Sequence, residues 1–137
     1  ARPAELALMH EALLRVIAPL RGRSRVWLYL GYSDLEAVGA QLAVLPANGM
    51  LVAGAHCGYV GLTQFARALP EDRFVGIGVI DVLDPRVETE DEVRERLAIV
   101  KRIIPRDRLW AVPDGGLRGL RAETATAKLA AMVAAAK

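Results

Sequence analysis

Two carboxylates stand at the ends of apolar runs, where a proton-transfer group would meet a ligand. Asp81 and Asp114 each close such a run. Either could orient a substrate amine, or act as a general base if a neighbour raised its pKa. The structural alternative is that Asp114 makes a loop turn with the two glycines that follow it, while Asp81 pairs with Arg86. Asp81 and Asp114 are the candidate catalytic residues.

Other polar side chains at the strand ends are candidate substrate-binding residues. They are Tyr29, Ser33, Asp84 and Arg86. For Asp84 and Arg86 the favoured interpretation is a role in the loop and in a salt bridge.

His56 and Cys57 are the residue types that bind transition metals, and they lie just beyond the second apolar strand. Adjacent residues of an extended chain point in opposite directions, so joint chelation is awkward. A small buried thiol beside a satisfied histidine is the favoured interpretation. We therefore predict no metal ligand and no cofactor from these residues, and His10 is expected to be a surface or helix-packing residue.

Strands and helices alternate along the whole chain. The predicted strands are 26–30, 50–53, 74–82 and 108–113. The predicted helices are 5–19, 61–69, 88–104 and 117–137. A further helix is predicted between the first two strands, from a cap at Ser33 or Asp34 to residue 45. Thr89 followed by Glu92 predicts a capping box. The glycines at 76 and 78 lie within a strand and lack the rest of a dinucleotide fingerprint.

The near-continuous apolar strands indicate a parallel sheet buried on both faces. Four parallel strands are compatible with two architectures, and the residues alone leave both open. One is a small doubly wound α/β sheet. The other is the last four strand-helix units of a (β/α)8 barrel, that is, a half barrel.

Composition bounds the class of protein. The 137 residues, 53% of them hydrophobic, fit a single domain over 1–137 with a substantial core. Eighteen basic against 16 acidic residues leave no broad basic patch, so no nucleic-acid partner is expected. A single cysteine and the lack of a membrane-length apolar run predict a cytoplasmic protein with no membrane partner.

Two ordered motifs resemble the catalytic domain of the cobalamin-independent methionine synthases. The stretch 108–118 is similar to that family's R-L-W-V-N-P-D-C-G-L-K, and 76–87 is similar to its G-x-G-V-x-D-I-H-S-P-R-V. The segment 32–35 matches the end of its H-x-C-Y-S-D-F strand. This resemblance favours the half barrel and places the chain at the C-terminal half of the catalytic barrel.

The family's zinc binds the homocysteine sulfur, so that a thiolate attacks the methyl group of a methylfolate. By the resemblance, its His falls on Tyr29, its two Cys on Gly31 and Gly115, and its Glu on Gly54. The family's proton-supplying His falls on Leu83. The resemblance therefore implies a thiol or folate ligand, together with the loss of the zinc ligands from this chain.

An isolated half barrel leaves two sheet edges open. We expect a partner that completes it: a second chain, a second copy, or a covalent remainder. Three functions stay open: a methyltransferase with changed or metal-free chemistry, a catalytically inactive structural or regulatory subunit, and a small independent α/β binding protein.

Overall fold

The computed structural model describes residues 3–137 and contains one sheet of four parallel strands. The strands are β1 (Trp27–Tyr29), β2 (Gly49–Val52), β3 (Phe74–Ile80) and β4 (Leu109–Pro113), and the helices are α1 (Pro3–Ile17), α2 (Leu35–Ala43), α3 (Leu62–Ala68), α4 (Glu90–Lys101) and α5 (Ala122–Ala136). All the predicted strands and helices are therefore confirmed, with shifts at their ends.

The strands follow one another in space in the order β1-β2-β3-β4. Each connection contains one helix and returns to a parallel neighbour. A doubly wound sheet instead reverses its strand order at a switch point. The uninterrupted order is that of consecutive units of a (β/α)8 barrel.

The two faces of the sheet differ sharply in burial. One row of the ladder is Leu28, Met50, Val75 and Leu109, and the next row, on the opposite face, is Tyr29, Leu51, Gly76 and Trp110. Met50 and Val75 are fully buried in the core, whereas Tyr29 is 54% and Trp110 is 53% exposed. The expectation of strands buried on both faces is confirmed for β3, whose residues from Val75 to Ile80 are all buried. It is wrong for the edge strands β1 and β4, because helices cover only one face of the sheet.

The main core lies between the sheet and its helices. Phe65 of α3 is completely buried against the residues of β2 and β3, together with Leu62 and with Leu35 and Leu42 of α2. A second cluster joins the end of β3 to α4 and α5 through Val79, Val93 and Ala135. These clusters fix the helices on the convex face and leave the other, concave face open.

Two helices begin later than predicted. Thr89 caps α4, so Glu88 lies outside the helix. The last helix was predicted from Leu117, but a single 3-10 turn covers Leu117–Gly119, and the extended backbone of Arg121 precedes α5. Gly119 disfavours a continuous helix there, since glycine has low helix propensity.

Candidate functional site

The carboxyl ends of the parallel strands meet at one edge of the sheet, as barrel topology requires. We call this the carboxyl edge and define it as residues 29–34, 53–57, 81–86 and 113–116. It contains Asp81, Asp114 and His56. Residues from four separate connections are thereby brought together.

Asp114 is completely buried at the centre of the carboxyl edge. Its Oδ1 accepts hydrogen bonds from the backbone N–H groups of Gly54, at 2.8 Å, and Ala55, at 3.0 Å. Its Oδ2 accepts from the N–H of His56 at 2.7 Å. The carboxylate thus fastens the loop after β2 to the end of β4. The expected turn with the following glycines is wrong as an account of this side chain, which reaches across the sheet.

Gly78 of β3 makes this crossing possible. A Cβ at position 78 would lie 1.8 Å from Asp114 Oδ1, which no side chain could tolerate. Gly54 is equally confined, because a Cβ there would lie 2.5 Å from the Tyr59 ring and 2.8 Å from the Gly78 carbonyl oxygen. The strand glycines therefore serve close packing at the edge.

His56 and Asp81 form a pair beside Asp114. The Nδ1 atom of His56 lies 3.0 Å from Asp81 Oδ2, and the histidine side chain is 47% exposed. Asp81 Oδ1 accepts from the N–H of Leu83 at 2.9 Å. The predicted pairing of Asp81 with Arg86 is wrong, because Arg86 turns away to Asp84 and to Glu92.

The charges at the edge shift the pKa values of the pair in opposite directions. The hydrogen bond to Asp81, and then its negative charge, raise the pKa of His56 above 6.5. Partial burial alone would raise the pKa of Asp81, but the hydrogen bonds from His56 and from Leu83 hold it below 3.8. A charged pair is favoured over the pH range between the two values.

A buried ion-pair network supports the backbone of Asp81. Lys128 of α5 is fully buried, and its Nζ donates to Glu88 Oε2 at 2.8 Å and to the Asp81 carbonyl at 2.9 Å. Glu88 Oε1 accepts from the Asp81 N–H at 2.8 Å and from Arg96 at 3.2 Å. Nothing in the sequence pattern predicted this network. The available signal was Lys128, a charged residue directly before the apolar run 129–136.

The remaining candidate substrate-binding residues have structural partners. Ser33 donates a hydrogen bond to the carbonyl of Leu30, and the Asp84 side chain accepts from the N–H of Arg86 at 2.8 Å. Asp84 and Arg86 were predicted to act in the loop and in a salt bridge, and Arg86 does form a salt bridge with Asp84. A role for Tyr29, Ser33, Asp84 or Arg86 in binding a ligand remains a prediction.

Cys57 is half-buried, less so than expected. Burial, and then the charges of Asp114 and Asp81, raise the pKa of its thiol above 9.0. A raised pKa keeps the sulfur protonated and disfavours it as a metal ligand. Within residues 3–137 no three His, Cys, Asp or Glu side chains are grouped so that they could hold a metal ion.

The Tyr29 side chain lies between Gly31 and Gly115. By the resemblance, these two glycines stand where the family has its zinc-binding cysteines. The Tyr29 hydroxyl donates to the Asp114 carbonyl at 2.9 Å and lies 2.7 Å from where a Cβ on Gly115 would be. A Cβ on Gly31 would lie 3.7 Å from the Tyr29 ring. The four ligand positions therefore hold Gly31, Gly54, Gly115 and the hydrogen-bonded phenol of Tyr29. These residues do not fit a zinc-thiolate donor set.

An open cavity of about 320 Å³ lies beside Tyr29 on the concave face. Its walls are Tyr29, Leu51, Val112, Pro113, Gly115 and Gly116. On the same face of the sheet, Trp110 and Trp27 contact each other with their ring centroids 5.1 Å apart. The walls of the cavity are therefore mainly apolar, and the Tyr29 hydroxyl is their polar side-chain group.

None of the helices within the described part of the chain is long and apolar enough to cross a bilayer.

Comparison with known proteins identifies relatives of this chain. Residues 14–137 match the family described as the catalytic domain of cobalamin-independent synthases. A 5-methyltetrahydropteroyltriglutamate–homocysteine methyltransferase of Nitratidesulfovibrio vulgaris is 34% identical over 118 residues, which are 85% of this chain and 15% of that protein. The enzyme of the same name from Mycobacterium tuberculosis is 32% identical over 114 residues, 83% of this chain and 15% of that protein.

A solved structure shares the fold. The B12-independent methionine synthase from a Shewanella species, in complex with selenomethionine, aligns with a TM-score of 0.76 at 20% identity. The alignment covers 93% of this chain and 41% of that one. The chain thus spans a minor part of each relative, and the architecture is that of half a barrel. On the extent of the family match and the identity to these relatives, the chain belongs to the cobalamin-independent methionine synthase family.

Proposed function

We propose that this chain forms the C-terminal half of a methionine-synthase-like methyltransferase barrel and binds a thiol or a folate-type methyl donor without zinc. The observation that carries the proposal is the position of Tyr29. Its side chain fills the space between Gly31 and Gly115, and its hydroxyl is already bonded to the Asp114 carbonyl. Neither glycine offers a side-chain ligand, so any thiol must be activated by other groups of the carboxyl edge.

The aromatic concave face supports a flat ligand. Trp110 is about half exposed, and the cavity beside Tyr29 is lined by Leu51 and Val112. Aromatic side chains favour stacked or edge-to-face contact with ring systems such as a pterin. The cavity adjoins the carboxyl edge, because Tyr29, Pro113, Gly115 and Gly116 belong to both.

Completion of the barrel by further strands is part of the proposal. The outer edges of β1 and β4 have no neighbouring strand in the described chain, and these two strands carry the exposed Tyr29 and Trp110. Open parallel edges and exposed aromatic surface both favour pairing with another half. The other half is a second chain, a second copy, or the remainder of the same polypeptide.

A catalytically inactive subunit is the second candidate function. It is favoured by Leu83, which stands where the family carries a proton-supplying histidine and is 59% exposed. A leucine cannot transfer a proton, so this position would contribute only shape.

Zinc titration of the parent chain and of a restored variant tests the proposal. The variant carries Tyr29→His, Gly31→Cys and Gly115→Cys, which returns a nitrogen and two sulfur donors to the carboxyl edge. Gly31 has a φ of +57°, so the cysteine there adds some backbone strain. We expect one zinc per chain in the variant and none in the parent by elemental analysis after dialysis.

The single variant Tyr29→His is the matched control, because it removes the phenol without adding sulfur. Stoichiometric zinc in the unmodified chain would contradict the proposal. Methyl transfer from methyltetrahydrofolate to homocysteine by the completed barrel, with zinc removed, would separate the first candidate function from the second.

A further inference from the structure

We propose that His56 and Asp81 are the proton-accepting pair of the carboxyl edge, with His56 Nε2 as the atom that takes the proton of a bound thiol. This inference rests on the proposed function, which supplies the thiol as the substrate class, and it names the group that would replace the metal. Neither residue stands at a position that the family resemblance assigns to a zinc ligand.

The geometry of the pair leaves one ring nitrogen free. Asp81 Oδ2 lies 3.0 Å from Nδ1 of His56, so the proton of a neutral imidazole is held on Nδ1. Nε2 makes no hydrogen bond to any of the residues 3–137, and the side chain is 47% exposed. In the neutral imidazole, Nε2 is therefore a basic nitrogen that none of the described residues occupies.

Hydrogen bonds to the backbone hold both His56 and Asp81 in place. The backbone N–H of His56 is bound by the buried carboxylate of Asp114, and the Asp81 backbone is bound on one side by Glu88 and on the other by Lys128. Leu83 N–H holds the second oxygen of Asp81. A base whose supports are already in place loses little freedom when a ligand arrives.

Two carboxylates and two further titratable side chains lie around His56. Asp81 follows β3, Asp114 follows β4, and Cys57 lies in the same loop, while the edge of the Tyr32 ring contacts the imidazole at 5.6 Å between centroids. The carboxylates raise the pKa of His56, which brings it nearer to the value of about 8.5 typical of a thiol.

The proposed step is a single proton transfer. The S–H bond of the ligand breaks, an Nε2–H bond forms, and the products are a thiolate and an imidazolium. Asp81 stabilises the imidazolium, and the imidazolium in turn stabilises the thiolate beside it. The step consumes no other reactant.

Homocysteine serves as the probe, and its thiolate is followed by ultraviolet absorbance as the pH is raised in the presence of excess protein and a metal chelator. We expect thiolate to form about one pH unit lower with the protein than in free solution, which corresponds to a roughly tenfold change in the acidity of the thiol. His56→Gln should abolish this shift, and Asp81→Asn should reduce it.

His10→Gln is the matched control, because the chain has two histidines and His10 lies on α1, away from the carboxyl edge. His56→Gln keeps the backbone N–H that Asp114 binds, so the fold is retained. The proposed role of the pair would be overturned if the pH of thiolate formation shifted equally with His56→Gln and with the parent protein. It would also be overturned if the parent protein caused no shift. A shift that is seen only when the chelator is omitted would overturn the pair and also contradict the zinc-free function.

Discussion

At the scale of single residues, Asp114 determines how the carboxyl edge is assembled. Its two oxygens bind three consecutive backbone N–H groups of the loop after β2, and Gly78 provides the space that it crosses. Buried carboxylate bonds of this kind are stronger than bonds between neutral groups. The loop that carries His56 therefore depends on a side chain from another strand.

Asp114→Asn should destabilise the fold by about 2 kcal/mol, because an amide keeps one accepting oxygen and turns an NH2 group toward a backbone donor. The free energy of unfolding in urea measures this loss. Asp107→Asn is the control, since Asp107 is exposed in the turn before β4 and should change stability by less than about 0.5 kcal/mol. Equal values for the two variants would contradict the role assigned to Asp114.

The His56–Asp81 pair predicts a pH dependence with a defined sign. The raised pKa of His56 contributes stability that is complete below 6.5 and is lost as the pH rises through its value in the folded protein. The lowered pKa of Asp81 contributes stability above 3.8 that is lost as the pH falls. We therefore expect the difference in urea midpoint between the parent and Asp81→Asn to be largest between these limits.

Imidazole resonances in NMR spectra give the direct check. His56 should titrate above 6.5 in the parent, and its pKa should fall in Asp81→Asn. An unchanged titration in the variant would show that the two side chains do not interact.

The candidate site was only partly predictable from the sequence. Asp81 and Asp114 were found because each closes an apolar strand, but the role of Asp114 was not, since its partners lie about sixty residues away along the chain. Asp81 was predicted to pair with Arg86, which follows it closely along the chain. The parallel sheet instead brings the β2 loop, and with it His56, beside the end of β3.

At the scale of secondary structure elements, α5 is tied to the end of β3 through charge as well as through apolar contact. Lys128, Glu88 and Arg96 form an ion-pair network in which Lys128 and Glu88 are fully buried. Burying charges is costly, and the cost is offset only while each keeps its partners. The network therefore stabilises one arrangement of α4, α5 and the strand that carries Asp81.

Lys128→Met should cost about 3 kcal/mol, because it leaves the buried carboxylate of Glu88 short of one cation. Adding Glu88→Gln to this variant should restore part of the loss, which a double-mutant cycle in urea would quantify. A loss below about 0.5 kcal/mol for Lys128→Met would contradict the account of the network.

The elements themselves were more predictable than the site. Local signals suffice where the chemistry is local: the capping box of Thr89 and Glu92 is confirmed, and Asp34 caps α2 by accepting from the N–H of Ala37. The start of α5 was predicted too early, because the apolar content of 117–120 resembles a helix while the backbone there turns and then extends. The apolar strands predicted burial on both faces, but burial of the concave face requires the other half of the barrel.

At the scale of the whole molecule, the described chain has the architecture of half a barrel. Its helices cover the convex face, and on the concave face the two edge strands present the exposed aromatic side chains of Tyr29 and Trp110. The relatives that it matches are several times longer, with this chain spanning 15% of each. The zinc-free site that we propose is therefore one wall of a cavity whose other wall lies on further strands.

Native mass spectrometry of the protein, isolated intact from the cells that make it and without a metal-binding tag, tests whether the half barrel is completed and free of zinc. It reports the mass of the assembly and any bound metal in the same spectrum. We expect an assembly heavier than one 14.8 kDa chain, with no zinc bound. A single 14.8 kDa chain that carries one zinc ion would contradict this expectation.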